Sequence, residues 1–302
     1  MKKLLTLILA AALLCCSVFA MTSCGGNSEY AAYGKQLEKF KAPAEAEKTL
    51  TVAMSPDFAP MEFSYVNGTQ SEIAGFDVLL ANYLAKELGM KLEIKPMSFD
   101  ACQTAIQTGT VDLAISGFSW TEERAENYLI SDYYIAGDNE TEQVLITTKA
   151  NEGKFTKASD LQGLKIGYQG ASLQELLVKE VFTGIAGELV PYTDLGLAAA
   201  ALQEGKIDAL AVAQGNGENI IANTNDKLAF SGYEFEVDPL YENNVVLLNK
   251  SDAALLAQVN AALAKALKND YYTAWYEASL ILSGSKSIDE LGYDDEGNKI
   301  TE

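Results

Sequence analysis

The chain has 302 residues, with 42 acidic against 22 basic side chains, a formal net charge of −20, four cysteines and no histidine. So acidic a surface repels phosphate backbones, which argues against nucleic acid as a partner. The missing histidine removes the commonest general base and the commonest transition-metal ligand together, which argues against zinc or copper and lowers the case for catalysis.

Lys2 and Lys3 precede an uncharged apolar run from Leu4 to Ala20. The run is short for a spanning helix and has no stop-transfer flank, so residues 1–23 are expected to be a removable signal peptide. The stretch "MTSC" at Met21–Cys24 resembles the lipobox of bacterial lipoproteins. That resemblance implies that Cys24 becomes the mature N-terminus, carries lipid and holds the protein at the outer face of the cell membrane. Cleavage there also removes Cys15 and Cys16, so Cys102 is left without an internal disulfide partner. It reads as a small buried apolar residue. Residues 24–48 are polar and alanine-rich, and are expected to form a lipidated tether with at most a helical turn near Lys35–Phe40.

Strands and helices then alternate. "LTVAM" (Leu50–Met54) reads as a strand, and "GFDVLLANYLAKELG" sets Phe76, Leu79, Leu80, Tyr83, Leu84 and Leu88 on one helical face with Gly89 as the stop. "KLEIK" follows as a strand, "FDACQTAIQTG" as a short helix and "VDLAIS" as a buried strand. Alternation of this kind implies parallel sheets covered by helices. "AIQTGTVDLAI" (Ala105–Ile115) recurs in register as "ALQEGKIDALA" (Ala201–Ala211), and "LKIGY" matches "LTVAM" as an opening strand. The repeat favours two lobes of similar construction over one long sheet. Beyond Pro239, "LYENNVVLLNK" reads as a strand and "SDAALLAQVNAALAKALKNDYYTAWY" as one long amphipathic helix. The acidic residues 285–302 are expected to be loose, and "DDEGN" lacks the spacing of a calcium loop.

Arg124 is the only arginine in the chain. A planar guanidinium matches a carboxylate with two donors where lysine offers a point charge, so a chain otherwise content with lysine has placed it for geometry. Thr121 can cap a helix that begins "TEER", which puts Arg124 in its first turn. Ser116, Gly117 and Ser119 fall at the carboxyl end of the preceding strand, where ligands of open α/β sheets sit. The alternative is a surface ion pair with Glu122, Glu123 or Glu126, which lysine would serve equally well.

"SPDFAPMEF", "IAGFDVLLANYLAKELG", "FDACQTAIQTGTVDLAISGFSWTEER", "ISDYY", "LKIGYQGAS" and "EGKIDALAV" resemble, in order and spacing, the extracellular solute-binding proteins of polar amino-acid ABC transporters. The resemblance runs from about Leu50 to Tyr276. It implies an α/β fold of the type II periplasmic-binding-protein kind, with two parallel-rich sheets flanked by helices and joined by two hinge strands. The lobes would be 49–137 with 243–284, and 138–242. It further implies a monomer without cofactor or metal that captures an amino acid or related small carboxylate and delivers it to a membrane permease. By the same resemblance Arg124 clamps the ligand carboxylate, helped by Ser116, Gly117, Ser119 and the Ala171–Ser172 pair, while Phe58 and Phe99 flank the ligand.

The family usually places an aspartate for the ligand ammonium where this chain has Ala213, and an acid where it has Ser55. A buried ammonium without a carboxylate is costly. Gln214, a further candidate site residue, follows that position; Glu218, or Asp57 from the other lobe, could supply the missing carboxylate, the register could slip, or the ligand could lack a free α-amine. A cleft enzyme similar to the cyclohexadienyl and arogenate dehydratases is the alternative function, with Glu62, Glu218 or Asp57 as its acid or base. A ligand sensor that docks on a membrane receptor is another.

Overall fold

The computed structural model describes residues 28–67, 69–134 and 142–300. The signal peptide, Cys24 and the expected lobe boundary at 137/138 lie outside the described residues.

Two five-stranded sheets organise the chain. The first takes β1 (Thr49–Met54), β5 (Lys91–Pro96), β6 (Leu113–Ser119), β7 (Leu129–Ile130) and β13 (Asn244–Leu248), in the order β5-β1-β6-β13-β7. The second takes β8 (Gln143–Thr148), β9 (Lys165–Gln169), β10 (Glu188–Tyr192), β11 (Ala209–Ala213) and β12 (Leu228–Glu234), in the order β10-β9-β11-β8-β12. A small meander of β2 (Asp57–Phe58), β3 (Glu62–Asn67) and β4 (Gln70–Ala74) adjoins the first. Helices α2 (Phe76–Leu88), α3 (Phe99–Gln107), α4 (Glu122–Asn127), α5 (Leu173–Phe182), α6 (Leu195–Gln203) and α7 (Gln214–Ala222) fill the connections.

The expectation of parallel-rich sheets holds for only part of each lobe. In both, three strands run parallel, and an antiparallel strand lies beside the central one: β13 against β6, and β8 against β11. Each antiparallel strand is the one the chain enters on arriving from the other lobe, so its direction follows from the crossing. Each lobe keeps its own buried clusters on the two faces of its sheet, and Phe58 packs against one cluster of either lobe.

The internal repeat has a hydrogen-bonded basis. Gly109 and Gly205 end α3 and α6 at φ +68° and +70°, and in each lobe the next residue's N–H returns to the helix, at Ala105 O and Ala201 O. The aspartate that follows then staples the neighbouring strand. Asp112 accepts from Thr51 N at 2.8 Å and Asp208 from Lys165 N at 2.8 Å. Their own N–H groups donate to the carbonyls of those same two residues. The "apolar–Asp" pair is thus a strand register pin used twice.

Three expectations fail. Residues 28–40, expected within the tether, form helix α1 (Ser28–Phe40), which buries Ala32, Tyr33 and Phe40 in the first lobe's core. Its aromatic spacing, which composition conceals, provides the reason: Phe40 packs on Tyr83, Tyr271 and Trp275 with ring centroids 4.7–5.7 Å apart. The tail is anchored rather than loose. Tyr293 is buried and donates to Glu277 at 2.8 Å, and Gly297 lies so close to the backbone of Ala31 and Ala32 that a Cβ would sit 2.3 Å from an atom. The expected long helix is two, α8 (Ala253–Lys268) and α9 (Tyr271–Leu282), broken where Asp270 adopts φ +53°. Short polar side chains tolerate that conformation best.

Candidate functional site

The carboxyl end of β6 delivers Ser116, Gly117 and Ser119 to the crevice between the lobes. Thr121 caps α4 by accepting from Arg124 N at 3.2 Å, so Arg124 starts in the first turn and its side chain folds back over the strand end. One guanidinium nitrogen donates to Ser119 O at 2.6 Å. The other crosses to the second lobe and donates to Ala171 O at 2.9 Å. The group lies 5.2 Å from the Phe118 ring centre and 5.6 Å from that of Phe99, whose rings stack at 4.6 Å. Arg124 is 4% exposed, and burial pushes its pKa down to about 10. Among the described residues every ion pair uses lysine, and no carboxylate pairs with Arg124. A buried cation held only by carbonyls and ring faces is short of an anion.

The cavity volume within the crevice is about 30 Å³. Of the residues expected there, Arg124, Ser119, Gly117, Ser116, Phe58, Phe99 and Ser172 line it, and Ala171 lies on the adjoining groove that also touches Arg124. Several of these are committed to the protein itself. The Ser116 hydroxyl accepts from Ser55 N at 3.0 Å and donates to Glu62. Gly117 N–H donates to Asp77 at 2.9 Å, and its φ of +56° brings the Phe58 ring within 2.6 Å of where a Cβ would stand. The Ser172 hydroxyl caps α5, accepting from Glu175 N at 3.2 Å and donating to Gln169 O at 2.7 Å. Ser172, Leu173 and Gln174 thereby set the N-terminus of α5, the positive end of its dipole, against the crevice.

Gln214 and Glu218 are not among the lining residues. Helix α7 starts directly after Ala213, the last strand residue to reach the crevice, and Gln214 uses its N–H on Glu142 O at 2.9 Å. Glu62 and Asp57 do not line it either. Glu62 is fully buried with Asp77 behind β6. Asp57 reaches into the second lobe, where it accepts from Gln169 Nε2 at 2.9 Å and Leu195 N at 2.8 Å.

Sequence reasoning missed a set of amides. Gln143, Gln169, Gln174 and Asn244 all line the crevice. Gln143 and Asn244 open the two strands that follow the crossings, paired with Ala213 and Ser119 at the ends of the central strands, so they are counterparts in the two lobes. Gln174 Nε2 donates to Gln143 Oε1 at 2.6 Å, and Asn244 Nδ2 is buried without a partner. The available signal was an amide opening each of the apolar runs "QVLIT" and "NVVLL". Cys102 is buried, and among the described residues no three His, Cys, Asp or Glu side chains are grouped to hold a metal ion.

The comparisons with known proteins agree with this architecture. An arginine-binding extracellular protein, ArtP, of Bacillus subtilis is 35% identical over 60% of this chain, a match that spans 61% of its own length. The L-cystine-binding protein TcyJ of Escherichia coli is 29% identical over 77% of this chain and 84% of its own. The crystal structure of the substrate-binding protein AbpA from Streptococcus pneumoniae, bound to L-arginine, superposes with a TM-score of 0.73. It is 30% identical and covers 78% of this chain and 96% of its own. An ancestral arginine-binding protein bound to glutamine gives 0.67 at 30% identity, over 76% and 97%. The model of the bacterial extracellular solute-binding proteins, family 3, matches residues 50–279, and the chain belongs to that family.

Proposed function

We propose that this protein captures an amino acid or a closely related small carboxylate between its lobes and presents it to an ABC permease, held at the outer membrane surface by lipid on Cys24. The observation that carries the reading is Arg124, a buried guanidinium with no carboxylate partner among the described residues, at the wall of an interlobe crevice. A ligand carboxylate there meets the guanidinium and the amino end of α5, one group from each lobe. Contacts made to both lobes at once favour the closed arrangement by differential affinity, which is how capture is coupled to closure. The relatives named above, which bind arginine or cystine, support an amino acid as cargo.

Titration calorimetry tests the reading, with ligand first identified by mass spectrometry of material released from the purified protein. Arg124→Lys is expected to weaken binding by about 2–5 kcal/mol, roughly 30- to 4000-fold, while the fold survives. Unchanged affinity would overturn the clamp. Recovery of the ligand chemically unaltered after incubation separates capture from turnover. Loss of membrane association in Cys24→Ala tests the anchor.

A further inference from the structure

Among the described residues the crevice wall carries no carboxylate to meet an ammonium, yet one stands directly behind it. Asp57 is surrounded by donors: Gln169 Nε2 at 2.9 Å and Leu195 N at 2.8 Å on one oxygen, and Ser55 Oγ at 2.7 Å on the other. Those contacts dictate how the Gln169 side chain is turned. A carboxylate accepts only, so the amide must offer it nitrogen, and Gln169, which lines the crevice, keeps Oε1 as its acceptor. Gln169 is 5% exposed, so this acceptor is held in place rather than free to rotate. An acceptor backed by a negative charge matches an ammonium and repels a second carboxylate.

We propose that Asp57, acting through Gln169, is the ammonium-recognising element of the crevice, and that the ligand is therefore an amino acid with a free α-amine. This rests on the reading of the protein as a carboxylate-capturing receptor. The charges then balance. Arg124 meets the ligand carboxylate, and Asp57, relayed by one amide, meets the ammonium. Asp57 is the positioning residue and Gln169 Oε1 the contact. The arrangement moves an acid from the usual place at Ala213 to the other lobe, and so ties ammonium recognition to closure, because Asp57 belongs to β2 while Gln169 ends β9.

The experiment uses calorimetry with L-arginine, L-histidine and L-glutamine, and, for whichever binds most tightly, its 2-hydroxy acid, which exchanges the ammonium for a hydroxyl. Wild-type protein is expected to prefer the amino acid by about 10- to 100-fold, the range for a hydrogen bond to a charged group. Asp57→Asn is expected to bring that ratio towards one. Asp57 also bonds the first N–H of α6, so the substitution can weaken every ligand alike; the ratio, not the affinity, is the readout. Gln169→Leu, which leaves Asp57 on Leu195, is expected to lower the ratio in the same way. The double variant Asp57→Asn with Gln169→Glu, which carries the charge to the wall, is expected to restore it. A wild type that binds the 2-hydroxy acid as tightly as the amino acid overturns this inference and leaves carboxylate capture standing. So does a ratio that Asp57→Asn does not move. Binding of neither form overturns the capture reading together with it.

Discussion

Arg124 shows what a single residue can announce. Its solitude in a lysine-bearing chain pointed to a geometric need, and its capping threonine and carboxyl-end position were readable too. The hydroxyls beside it were not. Whether a serine is free for a ligand depends on which other donors reach it first, and those come from residues far away in sequence. Ser116 is taken up by Ser55 and Glu62, and Ser172 by its own helix. Ser172→Ala is therefore expected to cost about 1 kcal/mol of stability through the lost cap and to leave ligand affinity within about threefold. Denaturant melts and calorimetry on one preparation check both; a tenfold loss of affinity would return the hydroxyl to the ligand. The glutamines escaped notice for a related reason. An amide becomes a site residue through the neighbour that turns it, and Asp57 lies 112 positions from Gln169.

At the scale of elements, periodicity and punctuation carried far. Gly89 stops α2 in the left-handed conformation, and the repeated helix–glycine–Asp–strand unit folds with matching hydrogen bonds in both lobes. Composition misled where a few aromatics outweighed many polar residues. Helix α1 looks like a linker, but Phe40 closes the Trp275 cluster. Phe40→Ala is expected to destabilise the first lobe by about 3–5 kcal/mol in urea unfolding, the usual penalty for an emptied aromatic site.

A second buried arrangement joins β3, α2 and β6. Glu62 and Asp77 are buried together: Ser116 donates to Glu62, Gly117 N–H and the Tyr134 hydroxyl donate to Asp77, and Glu62 Oε2 and Asp77 Oδ1 are buried without a partner. Burial, and then the neighbouring Asp77, hold Glu62 well above the usual carboxyl range; burial also raises Asp77, to about 6. Acids raised on folding stabilise the protein below their ordinary pKa, and that contribution is lost as pH rises through the folded value. Stability is thus expected to fall between about pH 4 and pH 7. Glu62→Gln, which keeps the shape and removes one of the two titrating acids, is expected to flatten that slope. Urea midpoints at half-unit pH steps decide it; parallel profiles for the two proteins would dismiss the pair as the cause.

Over the whole molecule, the two-lobe plan followed from an internal repeat and from the family resemblance, because both rest on local order. How the lobes touch did not, since each tie joins distant segments. Arg124 and Gln103 meet Ala171 O, Asp57 meets Gln169 and Leu195, Asn216 meets Ala59 O, and Asn219 meets Ser283 and Ser285. These ties are polar; the apolar contacts between lobes among the described residues include the reach of Phe58 and the stacking of Trp120 on Tyr241. Bonds that water can replace suit surfaces that must separate and rejoin.

The chain has two tryptophans. Trp275 is sealed in the first lobe's core, whereas Trp120 is half-buried and stacks on Tyr241, in the stretch leading back from the second lobe, at 6.3 Å and 19°. One indole is therefore a constant background and the other a gauge of the gap between the jaws. Emission that shifts when cargo arrives, and no longer does so in Trp120→Phe, would let the opening and shutting of this receptor be timed by its own light, without any attached dye.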